Sequence, residues 1–379
     1  MKRRDLLKSV VLAAGGSAFA LSGCRQKDDK DEVSGSVNQS QLKIMPKQTD
    51  IYKVSSPLLF HYPAIDELAK CNEKYKKIRV KTLYNSLPWP LAANYNEWMT
   101  LYRGGGNSDI KSFSDFAKYI KYAMNKGFEV CYLMNSPKAF NDLDLAKFKD
   151  SFYKLLDDIY KLGIKKIKFA NTQVAQLINE HNPDFELTSS TILEYHSIIQ
   201  FQGLFRFFPN ITQIGMTKDE NQNFRFIKAI RDTFPNVDIE MMVDEGCLKG
   251  CFSRMSCMAS SYNAYYKLGC KLTSENRKLS FYKNGGIYPW DLSYYSALGV
   301  NNFKTVPMHQ RSSDKIQPHL LEFLDVAEYE VNSEFYEKFI FDAIPVKNIR
   351  KISAKDALEY YPNMEHFIKM VINVQPNAE

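Results

Sequence analysis

Four of the seven cysteines in the chain lie in one stretch, DEGCLKGCFSRMSCMASSYNAYYKLGC, which runs from Asp244 to Cys270. Their spacing is C-x3-C-x5-C-x12-C, with the thiols at Cys247, Cys251, Cys257 and Cys270. Four thiolates in one loop region suit a tetrahedral zinc ion or an iron–sulfur cluster. We therefore predict that these four residues are metal ligands that bind a cofactor.

The spacing of the four cysteines favours iron–sulfur over zinc. Zinc sites use close cysteine pairs with two to four intervening residues, and only Cys247 and Cys251 meet that rule. Iron–sulfur clusters accept more irregular spacing. The loop also carries basic and small residues that suit a negatively charged cluster: Lys249, Gly250, Ser253, Arg254 and Ser256. Zinc stays open as an alternative.

Polar residues follow several predicted strands and form a second, looser set of candidates. Glu245 lies beside the cysteines and is the candidate acid or base. The other members of this set are Asn85, Ser86, Asn135, Asn171, Ser189 to Thr191 and Asp244. Together they could line a site for a small polar ligand, although each alone is typical of a helix cap or a loop hydrogen bond. No G-x-S-x-G or H-E-x-x-H motif is present, so no hydrolase nucleophile or zinc-protease motif is identified.

The elements that must position these residues alternate between strand and helix. The predicted strands are 78–84, 128–135, 164–170, 185–191, 211–217, 237–243 and 301–306; the predicted helices include 108–127, 145–163, 172–181 and 221–234. Repeated alternation indicates parallel βαβ units. Because no glycine-rich dinucleotide fingerprint is present, a closed or nearly closed TIM-like (β/α) barrel is favoured. Cys247 then follows a strand, at the end where barrel active sites lie.

The chain divides into four predicted segments by composition. Residues 1–23 read as an export leader, 24–50 as a flexible polar tether, 51–312 as the β/α barrel, and 313–379 as a helical C-terminal extension. The apolar run of the leader, Val10 to Leu21, is too short for a membrane-spanning helix.

The leader carries two patterns in register. RRDLLK at 3–8 is similar to the twin-arginine export motif, and LSGC at 21–24 is similar to a bacterial lipobox in which Cys24 is lipidated. These patterns imply export by the twin-arginine machinery, which carries folded proteins that often hold a cofactor. They also imply a lipoprotein held at the membrane through Cys24 and facing the periplasm or the cell exterior.

Net charge limits the partners of the mature protein. The whole chain carries +7 and residues 1–23 carry +3, which leaves +4. The basic residues form no concentrated run, so nucleic acid is not expected as a partner. An unknown small-molecule or protein substrate is expected instead.

Disulfides are the competing role for the cysteines. An exported protein meets an oxidising compartment, and six cysteines besides Cys24 make an even count. However, Cys71 lies in a helix pattern and Cys131 alternates inside a strand, as small buried apolar residues do. A barrel of this size needs no covalent staples. The iron–sulfur role is favoured, and disulfides stay open.

Several segments, taken in order, resemble one known family. They are YLMNSP (132–137), IKFANTQVAQLINEHNPDFELTSST (167–191), VDIEMMVDEGCLKGC (237–251) and IYPWDLSYYSALGVNNFK (287–304). The order and content resemble the collagenase-like peptidases of unknown catalytic type (family U, number 32), over roughly residues 75–310. One departure is Met308, which stands where the family usually has an arginine after Lys304.

The resemblance implies a β/α barrel and, in the cysteine-bearing branch, a 4Fe-4S cluster. It implies Cys247, Cys251 and Cys270 as ligands, with Cys257 as the fourth, and oxygen-independent hydroxylation or related redox chemistry. The family name implies a peptidase, which is the second hypothesis. A third hypothesis is a non-enzymatic ligand-binding barrel in which the cysteines form zinc or disulfide staples.

Overall fold

A computed structural model describes residues 51–88, 91, 110–137, 142–245, 249–251, 254–259, 285–306 and 318–330. All of them belong to one compact unit, Met45–Glu379. The predicted leader and tether (1–50) and the chain beyond 330 lie outside the described residues. Among the helices that the structure describes, none is both long and apolar enough to cross a membrane.

Eight parallel strands form a closed barrel in chain order. The strands are β1 (Tyr52–Pro57), β2 (Ile78–Asn85), β3 (Glu129–Met134), β4 (Lys166–Phe169), β5 (Glu186–Ser189), β6 (Ile211–Gly215), β7 (Asp238–Met242) and β8 (Asn302–Lys304). The barrel closes where β1 pairs with β8, through Lys53↔Asn302 and Val54↔Phe303. The predicted (β/α) barrel is confirmed, and it is fully closed.

Helices follow the strands around the outside of the barrel. The described helices are α1 (Tyr62–Lys74), α2 (Phe113–Asn125), α3 (Asp142–Lys161), α4 (Thr172–His181), α5 (Ile198–Phe207), α6 (Phe224–Thr233), α7 (Arg254–Ala259), α8 (Leu292–Ala297) and α9 (Pro318–Tyr329). Several begin at polar caps: Ser112 accepts from the amide of Asp115, and Asn171 accepts from the amide of Gln173. Gly163, at φ +95°, turns the chain from α3 toward β4.

The helices and the outer faces of the strands share one apolar core. Val54, Ile167, Ile214, Ile239 and Phe303 are fully buried members of it, one from each of five strands. Because side chains alternate along a strand, the neighbours of these residues point into the barrel. Those neighbours include charged residues, so the barrel interior is unusually polar at mid-height.

Helix α9 starts the predicted C-terminal extension. Its Glu328 carboxylate accepts from the backbone amides of Lys76, Lys77 and Ile78, where β2 begins. Asp325 binds Lys74 at 2.8 Å. The described part of residues 313–379 therefore packs directly against α1 and β2.

Strand β1 and helix α5 are among the elements that the sequence patterns missed, and each was missed for a physical reason. Strand β1, YKVSSP, holds two serines and a proline, which mask its alternation. Helix α5, IIQFQGLFRF, exposes Ile199 and Phe207 as well as burying Phe201 and Leu204. Apolar residues on both sides of a helix erase the amphipathic period.

Candidate functional site

The loop after β7 is tied to the end of β8. The amide of Val243 donates to the Lys304 carbonyl at 2.9 Å, and the amide of Val306 donates to Asp244 Oδ1 at 2.7 Å. Asp244 is buried. The chain therefore leaves β7 in a fixed direction at the carboxyl end of the barrel, where barrel enzymes place their active sites.

Arg254, the first residue of α7, binds carboxylates from three successive loops. Its Nε lies 2.8 Å from Glu194 Oε1 after β5, its Nη1 lies 3.8 Å from Asp219 Oδ1 after β6, and its Nη2 lies 2.7 Å from Glu245 Oε2 after β7. Arg254 is only 4 % exposed. One guanidinium thus joins the loops of three strands through ion pairs, and its contact with Glu245 is also a hydrogen bond.

Glu194 has an unusual backbone and an unusual environment. Its φ of +51° is in the left-handed region, which costs a residue with a side chain on the order of 1 kcal/mol. Burial raises the pKa of its carboxyl group, against the opposing effects of Arg254 and of the hydroxyl of Thr217, which donates to Oε2 at 2.8 Å. The fold therefore accepts local strain in order to bring this carboxyl group to Arg254.

Besides the ion pairs of Arg254, helix α7 makes apolar contacts at the carboxyl ends of the strands. Met258 forms a small buried cluster with Ala170, which follows β4, and Ile192, which follows β5. The amide of Gly250 donates to Asp219 Oδ2 at 2.8 Å, which holds the preceding turn. The segment with the central cysteines is thus fixed at both ends of residues 250–258.

The structure describes the cysteine set in part. Cys251 has a free thiol and is half-buried. Its backbone carbonyl accepts a hydrogen bond from the amide of Arg254 at 3.1 Å. Cys257 lies on α7, one turn after Arg254. Cys247, Cys270 and the lipidation candidate Cys24 lie outside the described residues. Cys71 and Cys131 are free thiols far from this loop in sequence; Cys131 is buried in β3, while Cys71 is half-buried.

The described residues form no group of three or more His, Cys, Asp or Glu side chains that could hold a metal ion. Arg254 engages three carboxylates, including Glu194 and Asp219, which places a cation among the acidic groups at this end of the barrel. Cys251 has the soft donor chemistry for zinc or iron–sulfur ligation.

Most of the polar strand-end residues take structural roles. Asn171 caps α4, the Ser190 hydroxyl accepts from the amide of Ile192, and the Ser189 hydroxyl accepts from the amide of Gly215. Glu245, the candidate acid or base, is buried and binds Arg254, so it contributes to anchoring α7. Two members differ: Ser86 Oγ and Asn135 Oδ1 are buried without a hydrogen-bond partner among the described residues.

Inside the barrel lies a buried ion pair that the sequence patterns did not single out. Lys168 of β4 binds Glu240 of β7, and the two side chains are 3 % and 1 % exposed. Glu240 also accepts from the Ser55 hydroxyl at 2.9 Å, and Asn302 Oδ1 lies 3.2 Å from the same Ser55 Oγ. Burial alone would favour the neutral acid, but Lys168, Lys304 and these hydrogen bonds hold the pKa of Glu240 below its usual value.

Lys304 of β8 completes the charged interior. Its Nζ lies 4.2 Å from the ring centroid of Tyr84 on β2, a cation–π contact, and its side chain is buried. The Tyr84 hydroxyl donates to the carbonyl of Thr305. The signal for these residues was available in the sequence: lysine and acidic residues recur at every second position, at 166 and 168 and at 238 and 240.

These features occupy a part of the chain that a family model matches. Residues 106–269 match the model of peptidase family U32. The match is less than half of the chain, spans α2 to α7, includes Cys247, Cys251 and Cys257, and ends one residue before Cys270. The predicted resemblance to U32 is supported over that segment.

Solved structures similar to the chain include a U32 peptidase and two glycoside hydrolases. The U32 peptidase is 12 % identical, with a TM-score of 0.44, over 70 % of this chain and 96 % of its own. A family 5 glycoside hydrolase from Prevotella bryantii is 12 % identical, with a TM-score of 0.40, over 75 % and 97 %. A Cellvibrio japonicus xylanase mutant is 12 % identical, with a TM-score of 0.39, over 74 % and 98 %. Among curated proteins, none matches the chain.

Proposed function

We propose that the chain is a U32-type β/α-barrel enzyme whose loop after β7 holds a 4Fe-4S cluster through Cys247, Cys251, Cys257 and Cys270. The cluster would supply redox chemistry, linked to oxygen-independent hydroxylation of a small molecule bound at the carboxyl end of the barrel. The observation that carries the proposal is the anchoring of this loop by Arg254, which binds Glu245 at the start of the same loop and a carboxylate from each of two neighbouring loops.

The anchoring supports a cofactor because a cofactor requires ligands held in fixed positions. Arg254 lies between Cys251 and Cys257 in the sequence, and it is buried. A surface loop without such a role needs no buried guanidinium, and burying one requires several partners to offset its desolvation. Supporting residues that lock the backbone next to ligands are what a preorganised site uses.

Export and anchoring belong to the same proposal. The twin-arginine pattern at 3–8 and the lipobox at 21–24 support export of a folded protein with its cluster in place, and attachment to the membrane through a lipid on Cys24. The protein would face the periplasm or the cell exterior. Nucleic acid is not proposed as a substrate, because the charge of the mature chain is modest and dispersed.

Peptidase activity is the second candidate, and the U32 family match over 106–269 favours it. In that case the substrate is a protein or peptide, and the cysteines would serve the fold. The third candidate is a non-enzymatic barrel that binds a ligand, in which the same cysteines hold a zinc ion or form disulfides.

The test uses the full chain purified without oxygen. We expect a brown protein with broad visible absorption and about four irons and four acid-labile sulfides per chain. Cys251→Ser should lose the colour, and Cys131→Ser, which changes a free thiol inside the barrel, should keep it. A colourless protein that holds one zinc, or that lacks free thiols at the four cysteines, contradicts the proposal. Casein cleavage that survives in Cys251→Ser would support the peptidase instead.

A further inference from the structure

We infer that one side of the carboxyl end of the barrel binds a neutral polyhydroxyl compound, a sugar or polyol, through the Asn135 carboxamide and the Ser86 hydroxyl. This side is called the β2–β4 edge and consists of residues 85–88, 135–137 and 170–171, which follow β2, β3 and β4. The inference rests on the proposed function in one respect, that a small molecule binds at the carboxyl end of the barrel. It names the chemical class of that molecule.

Two buried polar atoms on the β2–β4 edge indicate a ligand. Ser86 is 2 % exposed and Asn135 is 4 % exposed. Ser86 Oγ and Asn135 Oδ1 have no hydrogen-bond partner among the described residues. Buried polar atoms normally have partners, so two such atoms after neighbouring strands indicate that a bound molecule supplies the missing hydrogen bonds.

The alternation of side chains along β2 and β3 directs both groups into the barrel. Tyr84 and Leu133 belong to one small buried cluster inside the barrel, whereas Met134 belongs to the apolar core outside it. Ser86 follows Tyr84 by two residues, and Asn135 follows Leu133 by two residues. Both therefore continue the inward-facing series, at the end of the barrel where barrel enzymes bind their substrates.

The β2–β4 edge is polar without being charged. Its described segments read NSLP at 85–88, NSP at 135–137 and AN at 170–171, and none of them contains an acidic or basic residue. The ion pairs of Arg254 lie instead on the loops after β5, β6 and β7. A ligand at the β2–β4 edge thus meets amide and hydroxyl groups.

The buried charges elsewhere at this end of the barrel have partners within the protein. Asp244 accepts a hydrogen bond from a backbone amide at 2.7 Å, and Glu245 binds Arg254 at 2.7 Å. Lys304 attracts the carboxylate of Glu240 and contributes to the lowered pKa of that group. Because these acidic and basic groups stabilise one another, the ligand needs no net charge.

The atom types at the site require hydrogen-bond donors on the ligand. Asn135 Oδ1 only accepts, so the ligand must present an O–H or N–H group to it. The Ser86 hydroxyl both donates and accepts. Ligand hydroxyl groups meet both requirements, because each of them donates and accepts and can rotate into the direction that its partner needs.

The distance between the two groups favours several hydroxyls over a single amide. Asn85 pairs with Tyr132, so Asn135 lies two residues farther along its strand than the position opposite Ser86. Two residues of a strand span roughly 6–7 Å, and neighbouring strands are about 4.8 Å apart. One carboxamide group is too small to reach both positions, whereas hydroxyls around a sugar ring are spread over a comparable distance.

The experiment measures binding of glucose, mannose and galactose to the full chain by ligand-observed NMR. Glucuronate and glucosamine are the matched charged probes, and acetamide is the carboxamide probe. We expect saturable binding of at least one neutral sugar, and tighter binding of that sugar than of any of the three other probes. The inference is overturned if no sugar binds, or if a charged probe or acetamide binds as tightly as the best sugar.

Variants separate a ligand contact from a structural role. Asn135→Leu and Ser86→Ala should each weaken sugar binding about two- to tenfold, the effect of losing one neutral hydrogen bond. Neither should lower the melting temperature, because the polar atom removed has no partner within the described structure. Unchanged sugar binding in both variants contradicts the inference.

Asn72→Leu is the matched control. The Asn72 side chain donates to the carbonyl of Val80 and accepts from its amide, both at 2.8 Å, at the outer side of β2. This variant should lower the melting temperature and leave sugar binding unchanged. If Asn135→Leu behaves in the same way as Asn72→Leu, the role of Asn135 is structural and the inference is wrong.

Iron analysis of the same samples distinguishes the failure of this inference from the failure of the proposed function. A protein that loads iron but binds no sugar refutes this inference and leaves the cluster proposal standing. Sugar binding that persists in iron-free Cys251→Ser supports this inference whether or not the cluster forms.

Discussion

Arg254 and Glu245, nine residues apart in the chain, form a buried ion pair at 2.7 Å that closes the loop after β7. The closed segment contains Cys247 and Cys251. Because Glu245 directly follows Asp244, which binds the amide of Val306, the same short segment is joined to β8. Two of the four proposed ligands therefore lie in a loop whose ends the barrel holds.

Removing the guanidinium should destabilise the whole barrel. Arg254→Met leaves three carboxylates near one another without their cation, and breaking a buried pair in this way costs about 3–5 kcal/mol. Urea unfolding followed by circular dichroism measures this loss. Arg206→Met on the exposed side of α5 is the control and should change stability by less than about 0.5 kcal/mol. Equal effects of the two substitutions would show that Arg254 does not act as an anchor.

The ion pair inside the barrel should behave as a coupled unit. Lys168→Met leaves Glu240 buried without its closest cation, so we expect a loss of about 3–5 kcal/mol. The double variant Lys168→Met, Glu240→Met removes both charges and should be more stable than Lys168→Met alone. A double-mutant cycle from urea unfolding gives the coupling. Additive effects of the two substitutions would exclude a direct interaction.

Asp291 should make stability fall as pH rises. Burial raises the pKa of this carboxyl group to about 7 from its ordinary 3.8. Between those values the folded state keeps a proton that the unfolded state has lost, so the stability from Asp291 is complete below about pH 4 and disappears as pH passes 7. Asp291→Asn is neutral at every pH. The free energy of unfolding of this variant should therefore rise, relative to that of the native chain, between pH 5 and about pH 8.

Thermal unfolding of the native chain and of Asp291→Asn, at pH 5 and at about pH 8, measures this relative change in stability. Asp232→Asn is the control, because Asp232 is an exposed partner of Lys228 on α6, at 2.8 Å. The difference in stability between Asp232→Asn and the native chain should be nearly the same at both pH values. If the stability of Asp291→Asn relative to the native chain stays constant or falls toward alkaline pH, the pKa of Asp291 is not raised.

Two glycines should respond in opposite directions to alanine. A Cβ on Gly215, the last residue of β6, would lie 2.5 Å from the Ser189 carbonyl oxygen and 3.0 Å from the Thr191 amide nitrogen. Gly215→Ala should therefore cost about 1–3 kcal/mol. Gly203 lies within α5 with nothing within 4 Å of the added carbon, so Gly203→Ala should stabilise by about 0.5–1 kcal/mol. Urea unfolding decides both, and a stabilising Gly215→Ala would contradict the close packing of β5 and β6.

The order of strands and helices was predictable because apolar residues in segments such as IKKIKFA and VDIEMMV mark their boundaries. Strand β1 was not predictable from local sequence, because its inward-facing Ser55 contacts Glu240 and Asn302, which are distant in the chain. Pairing of β1 with β8 is a long-range fact that no local pattern contains.

The cysteine loop was predictable in part for the same reason. Its thiol spacing and its place after a strand are local properties of the sequence. The role of Arg254 is not, because its partners Glu194 and Asp219 come from two other loops. Charged residues at alternate positions, such as Lys166 and Lys168, were a usable signal that the barrel interior is polar, but their pairing required the closed barrel.

The most direct test of the central proposal is anomalous X-ray diffraction at the iron edge from crystals of the anaerobically purified chain. The account predicts an iron peak at bonding distance from Cys251 Sγ, at the carboxyl end of β7 and beside α7. An iron-free map with Cys251 Sγ about 2.05 Å from another cysteine sulfur would show a disulfide and contradict the account. A peak at the zinc edge alone would do the same.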